Sequence, residues 1–175
     1  IRVGKDNDGG YLVCEESVIN SKILISFGIS DDFSFEEHFQ KINNINILAY
    51  DHTVNLNFFL KKFLHSLIKF NFIMFFKQFL NWINFKKFFN KSKNKLFLKK
   101  IGKGGGAFND YISIDDIIKS SSNNQNFFFK IDIEGSEYRI LDDLIKFMDR
   151  IEGLAIEFHN VDINLDRVLN FIEKF

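Results

Sequence analysis

Two short strings place acids and a histidine at the ends of apolar runs. In KIDIEGSE, residues 130–137, an extended chain points alternate side chains to opposite faces. Lys130, Asp132 and Glu134 then share one face, and Ile131 and Ile133 the other. Two carboxylates held side by side repel each other, so the pair points to binding or proton transfer rather than to stability. Gly135 turns the chain next, and Ser136 stands where it can cap a helix. In IEFHNVD, residues 156–162, Glu157 and His159 share a face in the same way. An imidazole titrates near neutral pH and can take a proton from a hydroxyl. Asp132, Glu134 and His159 are therefore the candidate catalytic residues. The same three could clamp magnesium or manganese, which favour oxygen-rich sites, but no residue is assigned as a metal ligand. The plainer alternatives are a solvated edge with a Lys130–Asp132 pair and a histidine in a structural hydrogen bond.

A second set of residues suits a nucleoside. SFGISDD, residues 26–32, follows an apolar run. Its Gly28 lets the backbone turn sharply and approach a ligand. Asp51 ends the next apolar run, where a carboxylate can accept hydrogen bonds from both ribose hydroxyls; the plain alternative is a loop acid or a helix cap. The GKGGG run, residues 102–106, lacks the Gly-Lys-Ser/Thr ending of a phosphate loop and reads as a connection. No G-x-G-x-x-G follows the first apolar run, which counts against a nicotinamide enzyme. No Cys/His cluster suggests zinc.

These residues need a scaffold, and the apolar pattern supplies one. Strands are expected at 23–27, 45–50, 96–101, 127–133 and 154–158, with helices at 34–41, 115–119, 138–148 and 165–175. Alternation of this kind predicts an α/β domain of Rossmann-like class: a mostly parallel sheet with helices on both faces. Ligands in such sheets sit beyond the carboxyl ends of the strands, where all the candidate residues fall. The whole of 1–175 reads as one domain. It begins at Ile1 and reads as a piece of a longer chain.

A Phe/Lys-rich insert, at about 55–95, interrupts the alternation. Leu60, Phe63, Leu64, Leu67 and Ile68 form one helical stripe, and Phe72, Phe76, Phe79, Leu80 and Ile83 a second, with a change of phase near Asn71. The longest apolar stretch is too short to span a bilayer. From Asn55 to Asn109 there are twelve lysines and no acid, in a chain whose net charge is zero. A basic module thus sits in an acidic body. The insert is expected to cover the domain, to contact a protein partner or to lie on an anionic membrane surface. Nucleic acid is disfavoured, because the aromatic residues follow packing stripes rather than stacking platforms. The chain has 24 Phe, no Pro and one cysteine, Cys14. A lone cysteine forms no internal disulfide, which favours a reducing, cytoplasmic setting.

KIDIEGSEYRIL resembles the K-x-D-x-E-G-x-E signature of FkbM-type S-adenosylmethionine-dependent methyltransferases. GKDNDGGYLV (residues 4–13), LISFGISDDFSFEEHF (24–39), AYDHT (49–53), YISIDDII (111–118) and IEFHNVD resemble, in order, the opening, the first turn, the ribose acid, the S-L-D-D-L step and the E-x-H strand of the related methyltransferase-like group. The likeness covers most of the chain except the insert. It implies a class I methyltransferase sheet, S-adenosyl-L-methionine as cofactor, and methylation of an oxygen on a glycan or small metabolite. Gly28 would hold the methionine part, Asp51 the ribose, and Asp115 a further part of the cofactor. The first motif of such enzymes, D-x-G-x-x-x-G, here has Ser26 for its acid and Asp32 for its second glycine; Asp31, Asp32 or Glu36 stands in for the missing acid. The alternative is a domain that keeps the fold as a binding scaffold without turnover.

Overall fold

The computed structural model describes residues 1–6, 9–102, 110–121 and 125–175. A short antiparallel pair, β1 (Arg2–Val3) and β2 (Tyr11–Leu12), opens the chain, followed by α1 (Glu15–Asn20). The central elements are β3 (Ile23–Phe27), α2 (Ser34–Ile42), β4 (Asn46–Tyr50), α3 (Leu56–Ile68), α4 (Phe72–Phe89) and β5 (Asn94–Phe97). Then come β6 (Lys100–Ile101), β7 (Tyr111–Ile112), α5 (Ile114–Lys119), β8 (Phe127–Ile131), α6 (Leu141–Lys146), β9 (Ile151–Ile156) and α7 (Val161–Lys174).

Five strands form one sheet in the order β5-β4-β3-β8-β9, and all four pairings are parallel. The chain builds outward from β3 on one side and then returns to build outward on the other. The switch between β3 and β8 opens a crevice at their carboxyl ends. Every residue of β3 and of β8 is buried, as expected of strands covered on both faces. Ile25, Phe27, Phe129 and Ile131 face a layer made by α5, α6 and α7, where Ile117, Leu144 and Phe171 pack. Leu24 and Phe128 face the other layer, where Val18, Phe35, Phe39, Phe59 and Phe85 pack. The architecture is thus an α/β sandwich of three layers.

Three expectations need correction. The run 96–101 is not one strand: Lys99 N–H donates to the Phe97 carbonyl, and the chain turns out of the sheet. Lys100 and Ile101 then pair with Tyr111 and Ile112 in a separate two-stranded sheet. The strand expected to reach Ile133 ends at Ile131, although Asp132 N–H still donates to Phe27 O. Glu134 and Gly135 follow with φ of 53° and 90°, so a turn, not strand alternation, delivers Glu134. Segment 138–148 breaks into α6 between two short 3₁₀ turns, and Ser136 makes no side-chain cap. In the insert, whose outward face was left open, most of each stripe faces outward, with Phe63 and Ile83 half-buried. Phe59, Ser66, Phe85 and Phe88 are buried, whereas Leu60, Leu64, Leu67, Ile68, Phe72, Phe76 and Leu80 are exposed. Of the GKGGG run only Gly102 lies among the described residues, and Asp8 of the opening string lies outside them.

Candidate functional site

Gly28 is the pivot of the crevice. Its φ is 71°, and a Cβ there would lie 1.6 Å from the carbonyl oxygen of Asp132. The glycine therefore admits a neighbouring backbone, so that the turns after β3 and β8 close on each other. Gly28 N–H donates to Tyr50 O, and the Gly28 carbonyl accepts from the ammonium of Lys130. Lys130 is itself buried, with Asp132 Oδ2 3.7 Å away and the Tyr11 ring 5.8 Å from its nitrogen.

Around this pivot lies a cleft of about 820 Å³. Its walls come from the ends of β3 and β4 on one side and of β8 and β9 on the other, and include Gly28, Asp31, Asp32, Asp51, Asp132, Glu134 and His159. Two candidates lie elsewhere. Glu36 is fully buried beneath the sheet, where Ser26 Oγ donates to its Oε1 while Oε2 has no partner among the described residues. Burial raises its pKa, against the pull of Lys130 and Ser26. Asp115 sits on α5, where ammonium groups of Lys119 and Lys146 lie 2.5 and 2.7 Å from its oxygens; those hydrogen bonds lower its pKa. Neither carboxylate is a wall of the cleft.

The remaining acids on the β3–β4 side of the cleft are already engaged. Asp51 is buried, and its Oδ2 accepts from Ile29 N (3.0 Å) and Ser30 N (2.9 Å). Its Oδ1 accepts from Thr53 N (2.7 Å) and Thr53 Oγ1 (2.6 Å). A carboxylate offers about four lone-pair positions, so this one pins the loop after β3 to the loop after β4, and a ribose hydroxyl would have to replace Thr53 Oγ1. Asp31 pairs with Lys62 at 2.6 Å and accepts from Asn81 at its carbonyl, which ties α3 and α4 to the cleft. Asp32 pairs with Lys5 at 2.7 Å and accepts from Ser34 N. Burial works against its charge, but the hydrogen bonds from Lys5 and Ser34 outweigh that and lower its pKa.

The opposite wall brings Asp132, Glu134 and His159 together. Glu137, which the sequence reading passed over, holds the histidine. It is fully buried; its Oε2 accepts from Gly135 N (2.8 Å) and its Oε1 from His159 N (2.5 Å), with His159 Nδ1 at 3.2 Å. A carboxylate only accepts, so Nδ1 carries the proton and Nε2 faces the cleft. Three oxygens converge on Nε2: Glu134 Oε2 at 3.7 Å, Glu157 Oε1 at 3.8 Å and Asp132 Oδ1 at 3.9 Å. Burial disfavours the imidazolium, but Glu137, Glu134 and Asp132 together raise the pKa above its ordinary value.

Tyr11 closes this wall. Its hydroxyl lies 3.0 Å from Glu157 Oε2 and 3.3 Å from Asp132 Oδ2, a bridge between the two strand ends. Burial, then the charges of those acids, push its pKa upward, so the hydroxyl stays protonated and donates. One ligand atom each from Asp132, Glu134 and His159 fall within 4.8 Å of one another. They could hold a divalent cation, with Glu137 orienting the imidazole behind it. Compared with family models, curated proteins and solved structures, the chain matches none. What the cleft can do rests on its own side chains: a polar cavity in the size range of small-molecule sites, a fixed imidazole with its free nitrogen inward, and a ring of acids suited to a positive centre.

The two residues missed in the sequence, Tyr11 and Glu137, left weak signals there. Glu137 is the third acid of its string, on the far side of a glycine, but only the 3₁₀ turn after Gly135 carries it under His159. Tyr11 is far from the other site residues in sequence and is brought in by the β1–β2 pair.

Proposed function

We propose that the chain is an S-adenosylmethionine-dependent methyltransferase domain acting on a hydroxyl of a glycan or small metabolite. The observation that carries this reading is the immobilised His159, its Nε2 turned into a cleft large enough for a small-molecule cofactor beside Asp132 and Glu134, at the switch point of the sheet. The five-strand order suits a class I methyltransferase sheet. The acid ring suits a cationic sulfonium, and the cavity volume suits its adenosine. The fit is poorer at Asp51, whose oxygens are already filled.

Bound S-adenosylmethionine would supply an electrophilic methyl on a sulfonium whose leaving group is a neutral thioether. The chain's part is to bind and to move a proton. The Gly28–Ser30 turn, pinned by Asp51, forms the cofactor side of the cleft. Asp132 and Glu134 border the acceptor and accept its hydroxyl hydrogen bonds. His159 Nε2 takes the acceptor proton as the oxygen attacks, and Glu137 stabilises the imidazolium that results. An in-line transfer would draw much of its rate from how these residues position the acceptor. A cytoplasmic setting belongs to the same reading, and Cys14 is an exposed free thiol.

A second reading, a scaffold that keeps the fold without turnover, draws on the filled acceptor positions of Asp51 and on the burial of Glu36 away from the cleft. Calorimetry separates the two. The folded chain should bind S-adenosylmethionine and its demethylated product, and prefer both to NAD. Absence of heat at millimolar cofactor, with the fold intact by circular dichroism, would leave only the scaffold.

A further inference from the structure

We infer that the α3–α4 hairpin docks on an anionic lipid surface. A helix inserted in an α/β domain ordinarily turns its apolar stripe inward. Here the stripe on α3 at spacing i, i+4, i+8, i+11, i+12 (Leu56, Leu60, Leu64, Leu67, Ile68) is the exposed one. The same holds on α4 for Phe72, Phe76 and Leu80. The turn between the helices is apolar as well: Phe70 is 81% exposed and Ile73 74%. Among the described residues, half of the exposed large hydrophobic side chains fall between Leu56 and Leu80. The other face is fully used. Phe59 and Phe85 pack into the core layer, and Ser66 Oγ reaches Gln78 across the hairpin.

Charge selects the occupant. Lys61, Lys69 and Lys77 stand exposed among these apolar groups, and no acid occurs from Asn55 to Asn109. Bulky apolar side chains interleaved with ammonium groups match an interface where acyl chains lie beneath phosphate and carboxylate headgroups. No helix among the described residues is long and apolar enough to cross a membrane, so the mode is lying in the surface. Because Lys62 and Asn81 tie the hairpin to Asp31 at the cleft, docking would hold the cleft close to the lipid.

The test is flotation of the whole chain with vesicles of phosphatidylcholine alone and with about 30% phosphatidylserine, at low and physiological salt. Binding to the anionic vesicles only is expected, reduced but retained at physiological salt. A chain carrying Phe70→Ser, Phe72→Ser and Phe76→Ser, all exposed and outside the core, should lose at least about 10-fold in bound fraction. Lys61→Glu, Lys69→Glu and Lys77→Glu together should do the same. In a Trp82→Phe background, Phe72→Trp should shift its emission to the blue on anionic vesicles. No flotation at low salt overturns the inference. So does binding that ignores the Phe substitutions and vanishes at physiological salt, which is adsorption by charge alone. A dimer in light scattering that the Phe substitutions dissociate, without lipid binding, assigns the hairpin to a second copy instead.

Discussion

Glu137→Gln is the sharpest probe of the site, because it changes charge and almost nothing of shape. The wild-type carboxylate accepts from Gly135 N at one oxygen and from His159 N and Nδ1 at the other. A glutamine has one oxygen. Turned toward His159, it leaves its amide nitrogen against the Gly135 N–H; turned the other way, it faces two donors on His159. Either orientation strands at least one donor at a fully buried position, at a cost of about 1–3 kcal/mol. For a domain of this size that lowers the melting temperature by about 2–4 °C per kcal/mol. The histidine responds as well. Glu137 is foremost among the groups that raise the His159 pKa, so the variant's pKa should fall. The sign of the pH dependence follows. A pKa raised by folding contributes stability that is fully present below the unfolded value and is lost as pH rises through the folded one. The gap between wild type and variant should therefore be widest in mild acid and narrow on the alkaline side, without closing, because the stranded amide is independent of pH. Denaturant midpoints across the range and the NMR titration of the imidazole measure both effects. An unchanged midpoint together with an unchanged His159 titration would mean that Glu137 does not hold the imidazole, and the fixed tautomer would lose its basis.

Two further substitutions test the rest of the cleft. Asp51→Ala strands the amides of Ile29 and Ser30 and should cost about 1–3 kcal/mol of stability, read from thermal melts; cofactor affinity should fall with it, through the loop that Asp51 pins. Stability loss with unchanged affinity would make Asp51 a structural residue only. Asp132→Asn and Glu134→Gln relieve repulsion at the rim. Glu134 is exposed, so its variant should stay within about 0.5 kcal/mol of wild type, while initial rates of methyl transfer fall by roughly 10²-fold if either acid borders the reacting hydroxyl. Activity per folded molecule left intact would move the chemistry to Glu157 and His159.

Legibility differed between sheet and insert for a physical reason. ILISF and FFFKI are continuous apolar runs, and such runs have one comfortable place in an α/β domain, the doubly covered centre of the sheet. In the insert both helices were evident from spacing, but the direction of their faces was not. Periodicity fixes which residues share a face; what lies opposite that face is decided elsewhere in the chain. Spacing grouped Leu60, Leu64 and Leu67 on one face and left open what that face meets; in the fold they are exposed, and Phe59 and Phe85 are the residues that pack into the core layer.

The same division runs through the site. From order and type alone, the chain determined that Asp132, Glu134 and His159 lie just beyond apolar strands and so at one rim, because parallel strands put all their carboxyl ends on one edge. It also determined that a glycine was needed after β3. Tertiary structure decided the hydrogen-bond partners. Burial of Glu137 beneath His159, the bridging hydroxyl of Tyr11, the filling of Asp51 by four donors and the removal of Glu36 and Asp115 from the cleft all depend on contacts between segments far apart in the chain. A carboxylate's role is set by which donors reach it, and no local pattern records that.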